Sequence, residues 1–205
     1  MFKLRQTALL VLSCLALATI GASATAKPMT EDDIALGNPK AKVTVVEYAS
    51  LSCSHCAHFN AEVFPAFKAK YIDTGKVRYV FREILTEPVQ LAAIGFLTAR
   101  CAGKQNYLKV VDGVFRSQTE IFTTRDLRAP LVRVAQSVGM NEDAFKACLS
   151  DEKALKAMND RVKRFSKEAN ITSTPTFVIN GKTLEGGYTL DKLDAAIAEA
   201  RKTSK

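Results

Sequence analysis

A chain of 205 residues is long enough for one domain with an ordinary core, or for one domain carrying an insertion. Hydrophobic residues at 47% and charged residues at 24% are the proportions of a globular protein, which excludes a disordered or fibrous chain. The formal charge of +8 is a modest basic excess with no Arg/Lys stripe interleaved with aromatics, so no nucleic acid is expected as a partner.

Residues 1–24 read as a secretory signal peptide. Lys3 and Arg5 form its positive start, Ala8 to Ile20 its apolar stretch and Ala22-Ser-Ala24 its small-residue cleavage site. The apolar run is short for a membrane span and nothing later matches it, so the mature protein is expected not to be membrane-embedded. Cleavage removes Cys14 and two positive charges, lowering the formal charge to +6. Four cysteines then remain, an even number in an oxidising compartment.

Residues 25–41 are expected to be a loosely held lead-in that turns at Gly37-Asn-Pro39. Val43 to Tyr48 is a nearly continuous apolar run, as in a central strand covered on both faces, with Glu47 its acidic exception. Phe59, Val63, Phe67 and Tyr71 then place one apolar face on a helix from about Ser54 to Tyr71, which Pro65 should kink. Val77 to Phe81 supplies the next strand, so residues 42–85 form a βαβ crossover with parallel strands.

From residue 86 to 169 the period is helical throughout. Successive stripes run through Leu91, Leu97 and Cys101, then Leu108, Val111 and Phe115, then Leu131, Val134 and Val138, then Phe145 and Cys148, then Met158, Val162 and Phe165. Breaks are expected at Gly103, around Ser117 to Thr124 and at Gly139. Residues 170–205 return to strands. Thr176 to Ile179 and Lys182 to Leu184 flank Asn180-Gly181, a two-residue hairpin signal, and Thr189 can cap a final helix. Neither strand-bearing part can bury its own faces, so both must share one sheet and the helical block is an insertion in an α/β fold.

The chemistry gathers at Cys53-Ser54-His55-Cys56, where the first strand gives way to the helix. Unpaired N–H groups and the positive helix end favour a thiolate at Cys53, which is the expected nucleophile. Cys56, one turn on, can close a disulfide with it or resolve a mixed disulfide. The same Cys53, His55, Cys56 and His58 are also donor types of a copper or zinc module, although no second Cys pair completes a tetrahedral set. Glu47, six residues before Cys53, is either a buried proton relay for Cys56, a strand residue facing solvent, or a partner of Arg82. Cys101 and Cys148 read as a structural disulfide between two helices, with two buried free thiols as the alternative.

A CxxC opening a helix after a strand, with Thr174-Pro-Thr-Phe-Val-Ile-Asn-Gly181 downstream, resembles the DsbA-like periplasmic thiol-disulfide oxidoreductases of the thioredoxin superfamily. That resemblance implies a thioredoxin-like fold with an inserted all-helical domain, and a cis bond between Thr174 and Pro175 facing the cysteines. It implies no cofactor beyond the Cys53–Cys56 disulfide and no metal. Donation of that disulfide to folding secreted proteins is the implied function, with isomerase or reductase chemistry on the same fold as the alternative. A quinone-linked, DsbB-like membrane protein is the implied re-oxidising partner. Ser54 departs from the Cys-Pro-His-Cys of well-known members, and Ser54 and His55 are expected to tune the oxidising strength. The short lead-in leaves little room for an oligomerisation region, so a monomer is expected.

Overall fold

In the computed structural model, residues 29–168, 170–185 and 187–203 are described; the signal-peptide reading of residues 1–24, Cys14 included, lies outside them. Five strands form one mixed sheet in the order β1-β3-β2-β4-β5. Their ranges are β1 Ile34–Gly37, β2 Val43–Ala49, β3 Val77–Glu83, β4 Thr176–Ile179 and β5 Lys182–Thr183. β2 and β3 run parallel, pairing Glu47 with Phe81, while β4 lies antiparallel to β2, pairing Glu47 with Phe177. The segment expected to be a loose lead-in instead supplies β1, an edge strand antiparallel to β3. Four residues without alternation carry little local signal, and the pairing is decided by the distant partner.

The central strand is buried on both faces, as its apolar run requires. Val43, Val45 and Ala49 face the main core, while Val46 and Tyr48 join Val80, Val178 and Phe165 in a second cluster on the other side. The chain leaves β2 into α1 (Ser54–His58), and winding continues through a π-helical turn at Phe59–Val63, then α2 (Phe64–Phe67), then a second π-helical turn at Lys68–Ile72. In the first wide turn the Phe64 N–H donates to the Phe59 carbonyl five residues back. Pro65 follows directly, so its missing donor falls where the helix has already slipped by one residue. Phe59, Phe67 and Tyr71 are buried on the inner face.

Five helices lie between β3 and β4: α3 Val89–Cys101, α4 Tyr107–Thr124, α5 Arg128–Ser137, α6 Glu142–Leu149 and α7 Glu152–Glu168. The break expected around Ser117 to Thr124 is absent, and α4 runs through it. The hydroxyls of Ser117, Thr123 and Thr124 donate to carbonyls four residues back, so these polar residues continue the helix while Gln118 and Ile121 are buried. A disulfide joins Cys101 at the end of α3 to Cys148 in α6, with Cα atoms 6.2 Å apart. The last helix, α8 (Leu190–Thr203), packs Leu193 and Ile197 into the core.

Besides Glu47, buried charge gathers in two clusters between the sheet and the helices, around Glu83 and around Arg82. Glu83, wholly buried, accepts from Arg100 at 2.6 Å, Arg161 at 3.0 Å and the Tyr107 hydroxyl at 2.9 Å. Arg82 meets Asp33 at 2.9 Å, Glu168 at 2.9 Å and the Tyr48 hydroxyl at 3.0 Å. Such clusters specify how the elements dock more than they stabilise, because desolvation offsets most of the Coulomb gain. Among the described residues no helix is long and apolar enough to cross a membrane.

Candidate active site

Two carbonyl-rich loops and one helix start converge on the cysteines. Cys53 is the N-cap residue of α1, with extended backbone (φ −83°, ψ 119°), and its sulfur accepts from the Cys56 N–H at 3.3 Å. In its protonated form the Cys53 thiol donates to the Thr174 carbonyl at 3.3 Å. Cys53 is half-buried and Cys56 fully buried, and both are free thiols.

The two sulfurs are pushed in opposite directions. Cys53 is drawn from an ordinary 9.0 down to about 5, chiefly by the Cys56 thiol bonded to it; the Thr174 side chain and the N–H groups of Cys56 and His55 add to this against the cost of burial. Burial holds Cys56 far above the usual thiol range, reinforced by its bond to Cys53 and by the charges of Cys53 and Glu47. At neutral pH the exposed sulfur is therefore a thiolate and the buried one a thiol, which is the division of labour that a nucleophile and a resolving cysteine need.

Glu47 is 2% exposed, which excludes a solvent-facing carboxylate. It does not pair with Arg82, whose bonds go to Asp33, Glu168 and Tyr48. Its Oε2 accepts from the Tyr79 hydroxyl on the neighbouring strand at 2.5 Å. Burial lifts its pKa from 4.5 to about 8, with the Cys53 charge adding and the Tyr79 bond opposing. Glu47 thus holds a proton at neutral pH beneath a thiol that must exchange one.

Ser54 is exposed at the first position of α1. The His55 ring, expected to serve the thiolate, has its Nδ1 3.0 Å from the Tyr188 hydroxyl. His58 packs against the edge of the same tyrosine, with ring centroids 6.4 Å apart. The four donors of the metal-module reading are therefore not gathered: among the described residues no three His, Cys, Asp or Glu side chains are placed to share an ion.

The Thr174–Pro175 bond is cis, and a second cis bond, Glu87–Pro88, precedes α3 without any sequence signal that distinguished it. A groove of about 740 Å³ runs along this region, lined by His55, Thr174, Pro175, Phe177 and Tyr188 among others. Two contributors escaped sequence reading. Gln118 on α4 donates through Nε2 to the carbonyls of Leu51 at 2.8 Å and Cys53 at 3.2 Å, tying the helical block to the cysteine loop. The Ser52 hydroxyl donates to the Thr86 carbonyl at 2.7 Å and so pins the loop's other side. Both lie far from their partners in sequence, and neither belongs to a motif.

A half-exposed low-pKa thiolate capping a helix, a buried partner thiol one turn on and a cis proline against the sulfur, all on a thioredoxin-like sheet, define a dithiol exchange protein. Comparison with known proteins places it further. The family model described as "Thioredoxin" matches residues 29–199. A putative protein-disulfide oxidoreductase of Rickettsia bellii is 35% identical over 176 residues, covering 85% of this chain and 67% of the relative, and one from Rickettsia typhi is 33% identical, covering 82% and 62%. The chain thus spans about two thirds of the length of these relatives. The crystal structure of α-DsbA1 from Wolbachia pipientis superposes with a TM-score of 0.76 at 29% identity, covering 86% of this chain and 94% of that one. The chain belongs to the thioredoxin family, among its DsbA-like thiol-disulfide oxidoreductases, with a helical domain inserted in the thioredoxin fold.

Proposed function

We propose that this protein is a periplasmic dithiol oxidase that donates the Cys53–Cys56 disulfide to folding secreted proteins. The observation that carries the reading is the unequal pair of sulfurs. A Cys53 thiolate held at about 5 stabilises the reduced form, and whatever stabilises the reduced form makes the oxidised form a stronger donor. A client thiolate attacks Cys53 Sγ, the Cys53–Cys56 bond breaks, and its electron pair leaves on Cys56, which takes a proton from Glu47. A second client thiolate then attacks the client sulfur of the mixed disulfide and releases Cys53 as thiolate.

Each turn leaves the protein reduced by two electrons, so the cycle needs an oxidant. A quinone-linked, DsbB-like membrane protein has the matching chemistry. The client chain would lie extended in the groove beside Thr174 and Pro175, pairing its backbone with the exposed loop. Ser54 and His55 would adjust the strength of the oxidant, and the molecule would act as a monomer without a bound cofactor. The test equilibrates purified protein with mixed oxidised and reduced glutathione and follows oxidation of a reduced client beside insulin reduction. Rapid client oxidation with slow insulin reduction is expected. A strongly reducing equilibrium with efficient insulin reduction would instead identify a reductase or isomerase.

A further inference from the structure

His55 sits between the two cysteines, yet its ring is bonded elsewhere. The Tyr188 hydroxyl lies 3.0 Å from His55 Nδ1, and the two rings are tilted at a centroid distance of 6.3 Å. Tyr188 comes from the connection between β5 and α8, 133 residues away from His55 in sequence. Its ring is held by more than that bond. It meets Phe59 edge-on at 88° with centroids 6.1 Å apart, and His58 at 6.4 Å; Phe59 is in turn buried against Phe177 at 4.7 Å. The phenol is thus anchored to the floor of the site through aromatic edge contacts, while its oxygen reaches the rim.

The chemistry of the pair suits a holder. A phenol oxygen can donate to a neutral imidazole nitrogen and accept from a protonated one, so the bond survives either charge state of His55. With Nδ1 so engaged, the contacts of Cys53 Sγ are the Cys56 N–H and the Thr174 carbonyl rather than the imidazole. The tyrosine also stands in the groove proposed for clients, next to Gly187, whose φ of +108° suits glycine and which has open space on its Cβ side. Proximity to the reacting pair shows in the phenol itself, which burial and the charges of Cys53 and Cys56 push above its ordinary range.

We propose that Tyr188 is a positioning residue of the exchange reaction: its hydroxyl holds the His55 imidazole at the groove rim, off the Cys53 sulfur, and so sets how strongly that histidine favours the thiolate. The inference rests on the dithiol reading above and extends it to a residue outside the motif. Removing the hydroxyl while keeping the ring frees the imidazole to approach Cys53, where an N–H donor or a positive charge stabilises the anion.

The test is a double-mutant cycle of Tyr188→Phe and His55→Ala on the full chain, read by ultraviolet absorbance of the Cys53 thiolate and by the equilibrium with glutathione. Tyr188→Phe should lower the Cys53 midpoint and shift the equilibrium about threefold toward a stronger oxidant, the size of one modest hydrogen bond. In the His55→Ala background the same substitution should change neither quantity. The nitrogen NMR signals of the His55 ring should also lose the signature of a hydrogen-bonded Nδ1 in Tyr188→Phe. A raised midpoint, or a shift of equal size with His55 absent, would overturn the proposal. Failure of the wild-type protein to exchange with glutathione at all would instead remove the dithiol reading itself, so the two failures are separable.

Discussion

The Tyr79 hydroxyl donates to Glu47 Oε2 across adjacent parallel strands at 2.5 Å, and both residues are buried beneath the redox helix. The tyrosine stays protonated, since burial and the nearby carboxylate push its own pKa well above 10. It is a fixed donor to a carboxyl group that titrates near 8. The unfolded chain releases that proton near 4.5, so the folded state loses stability as pH rises from about 4.5 to about 8. Glu47→Gln should remove this loss and stabilise the protein by roughly 3–5 kcal/mol at about pH 9, with little change at about pH 4. The same variant should slow formation of the mixed disulfide, the step in which Cys56 leaves, by about tenfold or more, because the leaving sulfur loses its proton source. Tyr79→Phe removes the bond that lowers the Glu47 pKa, and should move its midpoint above 8. Urea unfolding across pH and stopped-flow mixing measure these effects.

The unequal thiols also fix how the reduction potential depends on pH. Oxidised, the pair carries no proton; reduced, it carries two below the Cys53 midpoint of about 5 and one above it, since Cys56 stays protonated. The potential should therefore fall by about 60 mV per pH unit below pH 5 and by about 30 mV between there and the titration of Glu47. The depressed Cys53 pKa likewise stabilises the reduced fold above the ordinary thiol value, a contribution lost as pH falls through about 5. Glutathione equilibria at a series of pH values give the slope directly. A single steep slope through neutral pH would mean that Cys53 ionises like a free thiol.

Gln118 offers a test of how the helical domain supports the site. Its amide is buried and donates to two carbonyls of the loop that carries the nucleophile. Gln118→Leu keeps the bulk of the side chain but leaves both carbonyls without that donor, which should cost about 1–3 kcal/mol. Amide hydrogen exchange from Ser50 to Cys53 should accelerate by more than the global loss of stability accounts for. Unchanged exchange in that loop would show that α4 packs beside the site without holding it.

What the sequence revealed, and what it hid, follows the range of each interaction. Cys53, Cys56 and Glu47 could be read because the spacing that places them is local: one helical turn, and a short turn from the strand below. The central strands could be read because burial on both faces leaves an unbroken apolar run. β1 could not, since Ile34 to Gly37 gains its identity only by pairing with β3. The polar stretch from Ser117 to Thr124 resembled a break because its hydroxyls disfavour helices in isolation, whereas packing of Gln118 and Ile121 carries α4 through it. Tyr188 and Gln118 reach the cysteines from remote parts of the chain, and no periodicity marks such residues in advance.

The two wide turns after α1 have a consequence for the phase of the whole redox helix. Each π-helical turn accommodates one residue more than regular winding would, at Phe59–Val63 and again at Lys68–Ile72. Because the wide turn already absorbs the surplus residue, deleting one residue from Phe59–Val63 would let the winding relax to a plain α-helix with both flanks kept in phase. Deleting one residue from the regular winding of α1 would instead rotate its start by roughly 100° against the core-locked Phe67 and Tyr71, and swing the Cys56 side chain out of its apolar pocket. Such a shortening would make both thiols alike, and the exchange would lose its direction.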